Sequence, residues 1–278
     1  MKITKKLLAT VAGALLVLSL AACGGGGAVG GDAGGGGPVT VGIKYDQPGL
    51  GQQEGSNYTG FDDEVAKYVA KELGYTDVTF KESPSAQRET LLQSDQVKMI
   101  FATYSITDDR KTKVSFAGPY FVAGQDLLVK AANTDITGPE SLNGKKLCSV
   151  TGSTPAKRIK EKYSAGVQLQ EYDTYSKCVE ALNTPSIDAV TTDNVILAGF
   201  AAQPQNKGKL KLVGKPFSTE KYGVGIKKGD TALCEKINAA LTKMVSDGSW
   251  QKALDSTVGP SGFKVDTSTN PPKLDPCS

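Results

Sequence analysis

Between Ala102 and Arg110 the chain reads Ala-Thr-Tyr-Ser-Ile-Thr-Asp-Asp-Arg, which sets the hydroxyls of Thr103, Ser105 and Thr107 at alternate positions ahead of one guanidinium. Hydroxyls and backbone N–H groups donate hydrogen bonds, and an arginine fork grips both oxygens of a carboxylate. The stretch follows Met99-Ile100-Phe101, an apolar run that reads as a buried strand, and precedes a second run, Val114-Ser115-Phe116-Ala117. A carboxylate socket at the mouth of a strand is one reading. A polar loop ending in a solvated arginine is the other, and the segment alone does not separate them.

Other reactive groups share this placement. Lys44 follows Val39-Thr40-Val41-Gly42-Ile43, which alternates into a glycine and reads as a first strand. Thr151-Gly152-Ser153-Thr154 follows a strand expected over Gly144–Val150 and precedes a helix expected over Ala156–Lys162. Such a turn presents N–H groups to an anion or merely caps its helix. Asp193 ends a strand over Ile187–Asp193 and either takes an ammonium group or caps the apolar helix Asn194–Ala201. Ser85 and Arg88 lie at the start of a short helix after Pro84. A cation there opposes the helix dipole, which suits an anionic ligand or a pair with Glu89.

The positioning elements read as an α/β chain. Phe61, Val65, Tyr68, Val69 and Leu73 recur at spacings of three and four within Gly60–Gly74, with Asp62, Asp63 and Glu64 in the first turn, the pattern of an amphipathic helix. Strands over Asp77–Phe80, Val167–Tyr172, Leu210–Val213 and Tyr222–Ile226 alternate with helices over Tyr175–Leu182, Ala232–Ser246 and Ser249–Leu254. This alternation predicts mixed, mostly parallel sheets, whose ligands bind outside the carboxyl ends of strands. The apolar run ending Gly118–Lys130 is long enough to cross between two lobes, and Pro260–Ser278 is expected to be irregular except where Cys277 pins it.

The amino terminus is a targeting segment. Lys2, Lys5 and Lys6 precede the apolar run Leu7–Leu20, which is shorter than the roughly 20 residues a bilayer span needs. Leu20-Ala21-Ala22-Cys23 resembles the lipobox of bacterial lipoproteins, in which the cysteine is lipidated and becomes the first residue. Residues 1–22 are therefore expected to be a signal peptide, and residues 23–38, rich in glycine, a flexible tether. The folded part sits outside the cell membrane on a lipid anchor. Removing the three signal lysines from 32 basic and 29 acidic residues leaves a formally neutral chain, so no nucleic-acid partner is implied.

Cys148, Cys178, Cys234 and Cys277 remain once Cys23 is set aside. An even number in an exported chain points to two disulfides in one of three connectivities. Cys148–Cys178 with Cys234–Cys277 is favoured, because each bridge stays within one expected lobe. The first would close about 30 residues, worth roughly 3–4 kcal/mol on the chain-entropy model. The chain has no histidine, so a cysteine nucleophile lacks its usual base and the commonest metal ligand is missing. No metal and no cofactor are expected.

In order, these segments resemble the polar amino-acid family of extracellular solute-binding proteins, the capture subunits of ABC importers. Gly60-Phe61-Asp62-Asp63-Glu64-Val65 is similar to the family's G-F-D-x-[DE]-apolar helix start, which normally carries an apolar residue at the position of Asp63. Gln87-Arg88 with Leu91 resembles its N-R-x-x-x-L segment. Ser105-Ile106-Thr107-Asp108-Asp109-Arg110 matches [ST]-x-T-x-E-R with Asp109 for glutamate. The likeness spans about Val39 to Leu254, with phrases such as Tyr45–Gly49 most like glutamate-binding lipoproteins.

The resemblance implies a two-lobed periplasmic-binding-protein fold of type II, closing about two crossover strands. Lobe 1 is expected over 39–127 and 222–278, and lobe 2 over 128–221. Arg110 would bind an α-carboxylate, assisted by Ser105, the Thr103 backbone and the Thr151, Gly152, Ser153 and Thr154 helix start. Asp193 would take the α-ammonium. Lys44, Ser85 and Arg88 occupy positions that hold a side-chain carboxylate in dicarboxylate-binding relatives, which implies glutamate ahead of aspartate. The implied partners are a membrane ABC permease and a lipid bilayer, and a monomer is expected. An enzyme on the same fold, such as a dehydratase, and an amino-acid sensor for a membrane receptor are the rival readings; no pair of acids placed for catalysis supports the first.

Overall fold

The computed structural model describes residues 36–163 and 166–277. The expected signal peptide (1–22), Cys23 and the tether as far as residue 35 lie outside the described residues.

Strand β1 (Pro38–Ile43) buries Val39, Val41 and Ile43 and pairs in parallel with β5 (Asp77–Glu82) and with β6 (Met99–Ile100). Beyond β6 the pairing turns antiparallel: β13 (Glu220–Lys227) lies beside it, and β7 (Val114–Ala123) lies outside β13. The order of this first sheet is β5-β1-β6-β13-β7. A second sheet repeats the scheme in the order β10 (Gln168–Tyr172), β9 (Lys146–Val150), β11 (Ala189–Asp193), β8 (Gln125–Lys130) and β12 (Leu210–Leu212). Its first two pairings are parallel and its last two antiparallel. Each sheet is therefore mixed. The chain leaves the first sheet after Ala123, enters the second at Gln125, and returns between Leu212 and Glu220.

Helix α1 (Phe61–Glu72) forms as its periodicity predicts and buries Phe61, Val65, Ala66, Val69 and Ala70. Phe61 packs edge-on against Phe121 at 5.7 Å and Trp250 at 5.6 Å. Full burial of a side chain of this size stabilises by roughly 1.5–3 kcal/mol. Trp250 belongs to α8 (Ser249–Thr257), which with α7 (Thr231–Ser246) covers the same sheet. Around the second sheet lie α4 (Thr154–Lys162), α5 (Tyr175–Asn183) and the almost wholly apolar α6 (Asn194–Ala202).

One element was not legible from the sequence pattern. A small antiparallel sheet of β2 (Asp46–Gln47), β3 (Gly51–Glu54) and β4 (Asn57–Thr59) follows β1 directly. Its sequence is rich in glycine and glutamine and does not alternate in hydropathy.

The disulfides pair Cys148 with Cys178 and Cys234 with Cys277, at Cα separations of 5.6 and 5.8 Å. The first ties β9 to α5. The second holds a carboxyl-terminal segment with little regular structure along β7, where the Asp275 N–H donates to the Gly118 carbonyl and the Val122 N–H to the Asn270 amide oxygen.

Candidate ligand-binding site

The Ala102–Arg110 stretch leaves β6 and ends in the short helix α3 (Asp108–Lys111), whose amino end is capped by Thr107 Oγ1 accepting from the Arg110 N–H at 3.2 Å. That cap orients Arg110 inward. Its buried guanidinium donates through Nη1 to the Ser105 carbonyl at 2.8 Å and to Thr154 Oγ1 at 2.9 Å, and through Nη2 to the Gly152 carbonyl at 3.3 Å. Nε stands 3.6 Å from Glu89 Oε1. Ser105 follows a strand of the first sheet, whereas Gly152 and Thr154 follow a strand of the second, so one side chain joins both.

Beside it lies a nearly closed cavity of about 10 Å³, lined by Ser85, Arg88, Thr103, Ser105, Arg110, Ser153, Thr154 and Asp193. Gln47, Tyr175 and Thr192 also line it. Sequence reasoning missed these three. Gln47 sits in the unforeseen β2, and Tyr175 and Thr192 lie within the expected helix and strand, where nothing local marks them as facing a ligand.

Arg88 lies at the first turn of α2 (Arg88–Gln93), behind a 3₁₀ turn at Ser85–Gln87. It is 2 % exposed, and its Nε donates to the Ser83 carbonyl at 3.2 Å. Burial and the nearby Arg110 charge both lower its pKa. Both guanidiniums lie over the Tyr104 ring, Arg88 at 5.1 Å and Arg110 at 4.7 Å from its centroid.

Asp193 faces the cavity rather than its helix. It makes no capping bond to α6; Oδ2 accepts from the Tyr222 hydroxyl at 2.6 Å, while Oδ1 is buried without a hydrogen-bond partner. Burial, and then the Glu220 charge, push its pKa up to about 8. An orphaned carboxylate oxygen of this kind is costly unless a donor arrives. A ligand ammonium would supply one.

Three expectations change on contact with the geometry. The turn before α4 presents fewer N–H groups than its sequence suggests: Thr151 donates to Tyr172, Ser153 to Val150, and Ala156 to the Ser153 hydroxyl, while Pro155 has none to give. Thr151 is exposed and does not line the cavity, whereas Gly152 meets Arg110 through its carbonyl. The Thr103 N–H is held by Asp62 Oδ2 at 2.9 Å and its hydroxyl by Gln47 at 3.2 Å, so its backbone donor is already engaged. Thr103 is at φ 47°, a left-handed conformation that a β-branched residue adopts only under constraint.

Lys44 is the third change. Its fully buried ammonium forms an ion pair with Asp46 Oδ1 at 3.1 Å and is not among the residues lining the cavity. The other oxygen of Asp46 accepts from the Tyr175 and Ser176 N–H groups, at 2.9 and 3.3 Å, at the start of α5. Lys44 thus has an acid beside it, although its Nζ makes no hydrogen bond of normal geometry, and Arg88 is the cation that lines the cavity.

Among the described residues, no cluster of histidine, cysteine, aspartate or glutamate could hold a metal ion, and no helix is long and apolar enough to cross a membrane.

The chain is similar to known amino-acid-binding proteins. It is 48 % identical over 234 residues to the glutamate-binding protein GluB of Corynebacterium efficiens, covering 80 % of this chain and 79 % of that one. It is 39 % identical over 219 residues to the ABC transporter glutamine-binding protein GlnH of Bacillus subtilis, covering 77 % and 78 %. Among solved structures, an ancestral arginine-binding protein bound to arginine superposes with a TM-score of 0.75 at 36 % identity, covering 79 % of this chain and 97 % of that one. The profile of the bacterial extracellular solute-binding proteins, family 3, matches residues 39–260, and the chain belongs to that family.

Proposed function

We propose that the protein captures an acidic amino acid, glutamate ahead of aspartate, outside the cell membrane and delivers it to an ABC permease. The relatives are named for glutamate, glutamine and arginine, so the shared scaffold does not choose among side chains. The cavity residues must. Arg110 suits the α-carboxylate and the unpartnered Asp193 Oδ1 the α-ammonium. The observation that carries the reading is Arg88, a buried cation lining the cavity whose charge Asp193 and Glu89 do not contact. A side-chain carboxylate completes it with charge-assisted hydrogen bonds. An amide ligand leaves the guanidinium buried without a counter-charge, which is costly.

In this reading the two sheets, each with its helices, are lobes that close about Gly124 and residues 213–219. A ligand gripped by Arg110 from one side and Asp193 from the other favours the closed form by its differential affinity. Cys23 carries the lipid and residues 24–37 reach from the membrane.

Calorimetry with glutamate, aspartate, glutamine and arginine tests the ligand assignment: tighter binding of glutamine than of glutamate defeats it. Metabolic labelling with radioactive palmitate tests the anchor, since the label should vanish in Cys23→Ser.

A further inference from the structure

Tyr104 is fully buried, and although its hydroxyl makes no hydrogen bond of normal geometry it lies beside the Glu89 carboxyl; burial and then that carboxyl raise its pKa. For a hidden group the hydroxyl is poorly paired, and the close contacts of this side chain are made by its ring. Phe116 holds the ring edge-on at 4.8 Å and an interplanar angle of 65°. The guanidinium carbons of Arg88 and Arg110 lie over it at 5.1 and 4.7 Å from the centroid. These two cations share a small, largely dry space and repel each other. Glu89, 3.6 Å from Arg110, is the one acid that meets either side chain as an ion pair among the described residues.

The negative face of an aromatic ring attracts a guanidinium, most strongly where water is excluded. A single ring beneath both cations offsets part of their repulsion and fixes the planes in which their forks point. We propose that Tyr104 is a positioning residue that sets the spacing and orientation of Arg110 and Arg88, and so selects amino acids bearing two carboxylates. This rests on the ligand assignment above. Guanidiniums already held in these planes lose less freedom when such a ligand arrives, which is how a preorganised site gains affinity.

The test compares Tyr104→Phe, which keeps the ring, with Tyr104→Met, which keeps much of the volume and loses the π face. Each purified protein is titrated with glutamate and glutamine, and its melting midpoint is recorded. Tyr104→Phe should bind glutamate within about threefold of the parent, and Tyr104→Met at least about tenfold more weakly, as expected for two desolvated cation–π contacts. Tyr104→Met should lose less for glutamine, so the glutamate-to-glutamine ratio falls, which loss of packing alone would not produce. Equal glutamate affinity in the two variants, or an unchanged ratio in Tyr104→Met, overturns the proposal.

Should Tyr104→Met fail to fold, pentafluorophenylalanine placed at position 104 gives the answer. It has nearly the shape of phenylalanine with the ring quadrupole reversed, so it should bind glutamate more weakly than Tyr104→Phe; equal binding overturns the proposal. If the parent binds some other amino acid instead, the ligand assignment fails separately, and the Phe–Met comparison with the amino acid that does bind still decides the role of the ring.

Discussion

Gly152 lies against Ala86 so closely that a Cβ on the glycine would stand 2.8 Å from the Ala86 Cα, and its φ is +75°. Gly152 follows a strand of the second sheet and Ala86 lies in the turn before α2, so the contact spans the proposed cleft. Gly199 on α6 makes a second such approach, its Cβ position 2.2 Å from the Pro48 carbonyl oxygen. Alanine at either position should wedge the lobes apart. Gly152→Ala also carries backbone strain, and glutamate affinity should fall by roughly 1–3 kcal/mol. Calorimetry with small-angle scattering checks this: ligand should compact the parent more than either variant. Full compaction in both would rule out the wedge.

Arg110 should be indispensable for every amino acid, since each carries the α-carboxylate. Arg110→Ala removes the charge-assisted contact to that carboxylate and should weaken binding by about 3 kcal/mol or more. Arg110→Lys keeps the charge but not the planar fork, so most of that loss should remain. A ligand panel titrated against both variants gives the comparison; retention of near-parental affinity by Arg110→Lys would show that charge alone suffices.

Arg88 and Lys44 should separate cleanly. Arg88→Ala should weaken glutamate by about 1.5–3 kcal/mol while leaving glutamine far less affected. Lys44→Met should leave the glutamate-to-glutamine ratio nearly unchanged and lower the melting midpoint instead, because it strands the Asp46 carboxylate. Removing one partner of a buried pair costs roughly 3–5 kcal/mol, and less here, since Asp46 is 14 % exposed and keeps its bonds to α5. A Lys44 variant that loses acidic ligands selectively would return Lys44 to the binding site.

Binding should release a proton. Asp193 has an ordinary value of 3.8 raised to about 8, with burial first among the causes and the Glu220 charge second. Below pH 8 the ligand-free carboxyl is therefore protonated, and an arriving ammonium favours its ionised form. Affinity should rise with pH toward 8, by at most about tenfold per unit. Calorimetry near about pH 6.5 in two buffers of different ionisation enthalpy counts the proton. In Asp193→Asn the dependence should disappear along with much of the affinity, and a parent that shows no buffer dependence would mean Asp193 is already ionised.

What the chain discloses in advance is what local pattern controls. The face of α1 is written in Phe61, Val65 and Val69 at helical spacing, and the strand ends bearing Ser105 and Asp193 follow from apolar runs that stop at polar residues. The family resemblance supplied the proposed roles of Arg110 and Arg88. The rest depends on partners far away in sequence. Nothing near Thr103 announces that Asp62 holds it at φ 47°, and nothing in the pattern shows β13 returning antiparallel between β6 and β7. Lys44 is the instructive case: Asp46, two residues on and so on the same face of an extended chain, is the acid it meets as an ion pair, a neighbour visible in the sequence.

Asp63 makes the last prediction, because it is where the chain departs from the apolar residue of the family pattern. Both its carboxylate oxygens are buried without a hydrogen-bond partner, and burial, then the neighbouring Asp62 charge, push its pKa from 3.8 to about 8. A carboxyl raised in this way binds its proton in the folded state and loses it in the unfolded chain above about pH 4. Its contribution to stability is therefore complete at low pH and declines as the pH rises through 8. Asp63→Asn has the same shape and no ionisation. Relative to the parent, the variant should gain in melting midpoint steadily from about pH 4 to about pH 8 and level off above, while glutamate affinity at neutral pH stays within about threefold, since Asp63 does not line the cavity. Parallel midpoint curves across that range would show that Asp63 is ionised in the folded protein and has found a partner.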